Sequence, residues 1–286
     1  MPTRGPAAPV PARRAYGQGV LSLLDDCYQL HTEIARGAIG VVWRAHEVAT
    51  GDTVAVKTLR PESAGLAELV AGLEFEARLL ADLDHPCVLR VRGTTVVNGV
   101  PAIVMDLAAG GDLRGRLRGA GTFAPAAVAG IGAQVADALA HVHAAGVVHC
   151  DVKPANLLVA TPQTAQTAQT PRSVEVPQIR LADFGVARRV TDAVGTIHAT
   201  PEYVAPEVAT GMVPGPPADV YALGIVLYEL ACGRTPFRGG EPVAVLGRHA
   251  LGYAVAPAGM PAPLWSVIED CLGKDPAARP VAATVA

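Results

Sequence analysis

The chain reads as an α+β protein of two lobes, a small strand-rich one followed by a larger helical one, with a cleft at their junction. Three observations predict this. Runs of β-branched residues bounded by Gly-containing turns crowd into residues 27–106. Beyond them, apolar residues recur at spacings of three and four, the period of a half-buried helix. Between regular elements of that second half lies the polar octapeptide His149-Cys150-Asp151-Val152-Lys153-Pro154-Ala155-Asn156, whose proline disfavours helix at Lys153 and marks a loop. At 286 residues the chain can hold two lobes, each with a sizeable core.

Taken in order, Met1–Gly19 is rich in Pro, Ala, Gly and Arg without a period, and residues 1–26 read as a flexible tail. Strands are expected at Tyr28–Ile34, Gly40–Glu47 and Thr53–Leu59, with Thr50-Gly51-Asp52 as a hairpin connection. Ala64–Leu83 is rich in Ala, Leu and Glu and free of proline, so it reads as one helix. Val88–Thr95 and Pro101–Asp106 read as two more strands around an Asn98-Gly99 turn. That is a small lobe of five strands and one helix over residues 27–107.

Ala108–Gly111 is a short connection into the larger lobe, residues 108–286. Val128, Ile131, Val135, Leu139 and Val142 share one helix face. After the octapeptide come short strands at Leu157–Val159 and Gln178–Ala182, separated by a Thr-Ala-Gln near-repeat that reads as a disordered insertion over residues 160–177. Asp219–Cys232 and Leu264–Leu272 are further helices.

Composition narrows the function classes. Lys plus Arg number 23 against 26 for Asp plus Glu, so no basic field argues for nucleic acid. The five cysteines are scattered without C-x-x-C spacing, which points to free thiols in a reducing, cytoplasmic setting rather than to a disulfide or metal framework. The opening residues do not read as a charged-then-apolar secretory leader, so none is expected. The apolar stretches Ala126–Val148 and Ala222–Cys232 are too interrupted or too short for membrane spans and read as core helices.

The octapeptide carries chemistry as well as punctuation. Asp151 can accept a proton, Lys153 can neutralise an anion, and Asn156 offers an oxygen to a hard cation. A polar surface loop would contain the same letters, so the distant motifs have to decide. Asp183-Phe184-Gly185, Val54-Ala55-Val56-Lys57, Ile34-Ala35-Arg36-Gly37-Ala38-Ile39-Gly40-Val41-Val42 and Ala205-Pro206-Glu207 are the motifs that do so.

Together these motifs resemble those of eukaryotic-type serine/threonine protein kinases of the bacterial branch, over nearly the whole chain from Cys27 onward. The resemblance implies a protein-kinase-like fold, ATP and Mg²⁺ (or Mn²⁺) as cofactors, and proteins with Ser/Thr acceptors as substrates, the chain itself included through a dimer. It implies that Ile34, Gly37 and Gly40 lie over the ATP phosphates and that Lys57 holds the α- and β-phosphates. Glu76 matches the helix glutamate that steadies this lysine; Glu74, two residues earlier and on a different face, is the rival. Met105 matches the gatekeeper. The backbones of Asp106 and Ala108 match the hinge, and Val42, Ala55 and Leu158 the apolar sandwich of adenine. Asp112 stands where a ribose contact is found, though a surface acid reads equally well.

In the same resemblance Asp151 accepts the substrate proton, Lys153 stabilises the moving phosphoryl group, and Asn156 and Asp183 hold the metal. Thr200 would link Lys153 and Asp151. Asp219 would anchor the loop backbone, and Glu207 would pair with Arg279. His149 reads as a core histidine against Phe184, while His141 and His143 pack or face solvent at a helix end. Three positions depart from the pattern. Ala35 and Ala199 stand in place of glycines. Cys150 replaces the arginine that binds a phosphate on the activation segment, so phosphorylation of Thr191 or Thr196 is not expected to be a strict on-switch. The alternatives are a non-catalytic scaffold or nucleotide-binding switch, suggested by Ala35 and Cys150, and a small-molecule kinase, against which Ala205-Pro206-Glu207 and Thr200 argue.

Overall fold

A computed structural model describes residues 22–24, 27–37, 39–60, 62–63, 67–97, 99–160, 176–189 and 200–286. Most of the Thr-Ala-Gln insertion, together with Ala38, Asn98, Thr191, Thr196 and Ala199, lies outside these residues.

The small lobe is a six-stranded antiparallel sheet in the order β1-β2-β3-β4-β6-β5. Its strands are β1 (Ser22–Leu24), β2 (Tyr28–Arg36), β3 (Gly40–Glu47), β4 (Thr53–Leu59), β5 (Val91–Val97) and β6 (Val100–Asp106). Strand β1 corrects the expectation of a tail through residue 26, because Ser22 pairs with Leu30 and Leu24 with Tyr28. β5 begins at Val91, three residues later than expected, and β2 runs on to Arg36. The expected helix appears as α1 (Ala67–Ala81), ending two residues earlier than expected, while the expected start at Ala64 lies outside the described residues.

The period of two along β4 and β6 decides which side chains reach the cleft. Val54 and Val56 of β4, with Ala102 and Val104 of β6, pack into one cluster with Leu30 and Ala45. The alternate residues Ala55, Ile103 and Met105 face the other way, onto Leu73 and Ala77 of α1. Lys57 is two residues beyond Ala55, so it shares the α1 side. Gly40 opens β3 where a Cβ would lie 2.9 Å from the Thr58 carbonyl oxygen, closer than side chains approach, so β3 can meet β4 there only as glycine.

The larger lobe starts with a helix that periodicity did not single out, α2 (Leu113–Ala120), capped by Asp112, whose Oδ1 accepts from Gly115 N at 2.6 Å. α3 (Pro125–Ala144) opens on a proline, whose missing N–H is not needed in a first turn, and buries Val128, Ile131, Val135, Leu139 and Val142 as expected. Two small ladders follow. β7 (Val147–Val148) pairs with β10 (Arg188–Arg189), and β8 (Leu157–Val159) pairs with β9 (Ile179–Leu181). The remaining helices are α4 (Pro206–Ala209), α5 (Pro216–Cys232), α6 (Pro242–Leu251), α7 (Ala262–Cys271) and α8 (Ala282–Val285).

α5 is buried on nearly every face, from Ala218 to Leu230, and is the axis on which the lobe is built. It packs on α3 and α7 in one large core that also takes in Val152, Leu157 and Phe184. The octapeptide is therefore tied to this core through Val147 before it, Val152 within it and Leu157 after it. Among the described residues no helix is long and apolar enough to cross a membrane.

Candidate active site between the lobes

On the small-lobe side, Lys57 Nζ lies 2.7 and 2.8 Å from the two carboxylate oxygens of Glu76 and 2.8 Å from Asp183 Oδ1. Glu76 is buried on α1, whereas Glu74 points to a surface pairing with Arg78 at 3.8 Å. The helix phase thus selects Glu76 over its rival. Burial opposes the charge on Lys57, but Glu76 and Asp183 outweigh it and hold the ammonium above the ordinary lysine range. Burial likewise pushes Glu76 up, only partly offset by Lys57, while on Asp183 the opposite balance wins and Lys57 keeps its carboxyl low. Gly185 closes this cluster. A Cβ there would touch Asp183 Oδ1 at 3.4 Å, Glu76 Oε2 at 3.5 Å and Lys57 Nζ at 3.7 Å. A side chain there would lie in van der Waals contact with all three charged groups.

The octapeptide forms the opposite wall. Asp219, on the first turn of α5, accepts from the backbone N–H of His149 through Oδ2 and of Cys150 through Oδ1, each at 2.8 Å. It is fully buried, and His143 Nε2 completes its shell at 2.8 Å. That last partner corrects the expectation that His143 merely packs or faces solvent. Pinned this way, Cys150 adopts φ +65°, and Asp183 adopts φ +64°. Left-handed backbone at non-glycine residues stores about 1–3 kcal/mol each and survives only where surroundings over-determine it.

His149 is buried, its Nε2 lies 3.1 Å from the Ala182 carbonyl oxygen, and its ring meets Phe184 edge-on at 4.6 Å. It is the structural link expected of it, joining the loop to Asp183-Phe184-Gly185. A second link is the Ala182 N–H, which donates to the Asn156 carbonyl oxygen at 2.9 Å.

Within the loop Lys153 Nζ reaches Asp151 Oδ2 at 2.5 Å and Thr200 Oγ1 at 3.1 Å, and Thr200 Oγ1 donates to Asp151 Oδ1 at 3.4 Å. Asn156 Nδ2 donates to the Asp151 carbonyl oxygen at 2.8 Å and to its Oδ2 at 3.0 Å. Both bonds use the amide nitrogen, so the Asn156 amide oxygen is not consumed by them. Asp183, beside the Lys57 cation, and Asn156, on the loop, each offer a hard oxygen donor, and such donors suit Mg²⁺. Behind the loop Glu207 and Arg279 form two parallel bonds at 2.8 and 2.6 Å, with the Arg279 side chain wholly buried.

The apolar floor of the cleft also assembles. Ala55, Met105, Val42, Ala108 and Leu158 belong to a single cluster, which also includes Ala182. Asp106 ends β6 opposite Val54, and its carboxylate is held by Arg92 Nε at 2.7 Å, a contact that sequence spacing gave no sign of. Ile34 does not join this cluster. It is 44% exposed on β2. Gly37 N–H donates to the Gly40 carbonyl oxygen at 2.9 Å, tightening the β2–β3 turn above the floor. The Cys150 thiol is half-buried, and burial with the neighbouring Asp219 carboxylate raises its pKa well above the thiol range, so it is an inert group.

Comparison with known proteins agrees with this geometry. The family model described as "Protein kinase domain" matches residues 28–286. The chain is 43% identical over 275 residues to serine/threonine-protein kinase PkaA of Streptomyces coelicolor, covering 91% of this chain and 48% of that protein. It is 43% identical over 256 residues to PkaB of the same organism, covering 88% of this chain and 60% of that protein. To serine/threonine-protein kinase PknA of Mycobacterium tuberculosis it is 35% identical over 262 residues, covering 88% of this chain and 58% of that protein. The chain thus spans about half to three fifths of the length of the relatives it matches. With a match from Tyr28 to the last residue and an Asp–Lys–Asn loop facing a Lys–Glu–Asp cluster, the chain belongs to the protein kinase family.

Proposed function

We propose that this chain transfers the γ-phosphoryl group of ATP to serine and threonine hydroxyls of proteins, its own chain in a second copy included. The observation that carries the reading is the convergence of Lys57, Glu76 and Asp183 with Asp151, Lys153, Asn156 and Thr200 through the bond from Ala182 to Asn156. A phosphoryl transition state spreads negative charge over several oxygens, so fixed cations and positioning do most of the catalysis. Bound Mg²⁺, or Mn²⁺ in its place, would neutralise phosphate oxygens and would be held by Asn156 and Asp183.

The remaining roles belong to this chain's own side chains. Lys57, steadied by Glu76, binds the phosphates nearest the sugar. Asp151 orients the incoming hydroxyl and takes its proton at a carboxylate oxygen. Lys153, fixed by Asp151 and Thr200, lends positive charge to the moving group. Val42, Ala55, Met105 and Leu158 bind the adenine face, and the backbone of Asp106 and Ala108 binds its edge. Ile34, Gly37 and Gly40 cover the phosphates. The pairing of Lys153 with Thr200 supports serine and threonine as acceptors, as do the names of the relatives. Free thiols at all five cysteines suit a reducing cytoplasm.

The test is transfer of labelled phosphate from ATP to a generic protein substrate in the presence of Mg²⁺, with Asp151→Asn as the reference. Transfer well above that variant is the expected result. Nucleotide binding with no transfer above it would overturn the reading and leave a nucleotide-binding scaffold.

A further inference from the structure

Away from the cleft, one cluster among the described residues brings together metal-ligating side chains. His85, Cys87 and Asp137 each offer a donor atom, and these atoms lie within 4.8 Å of one another. His85 and Cys87 sit on the connection between α1 and β5. Asp137 lies on α3, one turn before His141 and on the same face. His85 Nε2 is 3.2 Å from Asp137 Oδ2, and the His85 and His141 rings stack at 5.0 Å. His141 Nε2 is buried without a hydrogen-bond partner among the described residues, a condition that costs free energy unless something else satisfies it.

We propose that His85, Cys87, Asp137 and His141 form a site for a divalent cation of the borderline-soft class, of which Zn²⁺ is the type. The donor set argues the class. Two imidazoles, a thiolate and one carboxylate oxygen make a tetrahedral N₂SO shell, which suits zinc and excludes the hard cations Mg²⁺ and Ca²⁺. Metal–ligand lengths of about 2.0–2.3 Å put the donors of such a shell roughly 3.5 Å apart, so His85, Cys87 and Asp137, now within 4.8 Å of one another, need to close by about 1 Å, and His141 has to rotate in from its stacked position on His85. The cation would give the orphaned His141 nitrogen a partner and would bridge the α1–β5 connection to α3.

Burial and Asp137 keep the Cys87 thiol protonated, so binding releases that proton to solvent. His85 Nδ1 accepts from the Cys87 N–H at 3.1 Å, which puts the ring proton on Nε2. A cation at Nε2 moves that proton to Nδ1 and opens the contact.

The experiment uses the full chain after chelator treatment, with Mg²⁺ in excess to cover the hard-oxygen site in the cleft. Zn²⁺ alone is titrated calorimetrically, and Co²⁺ alone by absorption spectroscopy. One equivalent should bind, with the sulfur-to-cobalt charge-transfer band and the visible intensity of tetrahedral cobalt, and Zn²⁺ should raise the melting temperature. Cys87→Ser should lose the charge-transfer band, and His141→Gln and Asp137→Asn should weaken binding by at least about tenfold, with circular dichroism checking that each variant is folded. Absence of stoichiometric binding overturns the site. So does binding unchanged in Cys87→Ser and His141→Gln, or abolished instead by Cys27→Ser, whose residue is an exposed thiol.

Discussion

Lys57 on β4 and Glu76 on α1 meet at 2.7 Å across the small lobe, with the carboxylate almost wholly buried and the ammonium partly so. The pair couples the position of a helix to the position of the cation proposed to bind phosphate. Glu76→Gln leaves Lys57 leaning on Asp183 alone, and Lys57→Met leaves both carboxylates unopposed. Phosphoryl transfer should fall by at least about a hundredfold in Lys57→Met, the scale of losing one preorganised charge. Breaking a buried pair costs about 3–5 kcal/mol when the remaining charge stays buried. Denaturant melts of Glu76→Gln should show a smaller loss, because the amide is neutral.

Asp219 makes three bonds, two to the consecutive backbone N–H groups of His149 and Cys150 in the loop and a third to His143 on α3. Asp219→Asn keeps the shape but loses the charge and one acceptor. Cys150 would then no longer be held at its positive φ. Activity should drop by about tenfold or more, from a loss of roughly 1.5–3 kcal/mol per charge-assisted bond, with Km for nucleotide far less affected than kcat. An unchanged kcat would refute the role of Asp219 in setting the loop.

Cys150 cannot make a charge-assisted contact to a phosphate, and its thiol is neutral at physiological pH. Transfer by the Thr191→Ala/Thr196→Ala double variant should therefore stay within the same order of magnitude as wild type. Near-zero activity restored by acidic substitutions at those positions would show a phosphate switch that does not use residue 150.

His249 gives the fold an acid-sensitive joint. It is fully buried, its Nδ1 lies 2.8 Å from the Tyr221 hydroxyl, and burial lowers its pKa to about 4, helped by Lys274 and Arg248. In the unfolded chain it titrates near 6.5, so between those values the unfolded state binds the extra proton. Its contribution is fully present above about pH 6.5 and is lost as pH falls toward 4, a span of about 3 kcal/mol at about 1.4 kcal/mol per unit. Thermal melts from pH 7 to pH 4.5 should show this decline. His249→Gln, which keeps an acceptor for Tyr221, should flatten it.

Arg279 and Glu207 are 72 residues apart in sequence and form a bidentate pair buried beneath the Ala205-Pro206-Glu207 turn. Arg279 also donates to the carbonyl oxygens of Gly273 and Pro217. Lysine retains the charge but not the fork, so Arg279→Lys should lower stability by about 1–3 kcal/mol in denaturant melts. Arg279→Ala should cost about 3–5 kcal/mol.

Much of this protein was legible in its residues because the relevant signals are local. The alternation Val54-Ala55-Val56-Lys57 states which side chains share a face, whatever the sheet does elsewhere. The spacing within His149–Asn156 places an acid, a base and an amide on one short loop, and they are found bonded to each other. The helix face from Val128 to Val142 is buried as its period requires.

What the residues left open was decided by contacts between distant segments. Glu76 rather than Glu74 reaches Lys57 because α1 docks on the sheet with one phase and not another. His143 and Asp219, 76 residues apart, meet only because α3 and α5 pack side by side. Strand β1 exists because β2 offers it an edge, not because Ser22–Leu24 has a pattern of its own. Periodicity and turn chemistry act over a few residues and so survive in the letters, whereas docking phase and edge pairing depend on how whole elements share a core, which no short window of sequence contains.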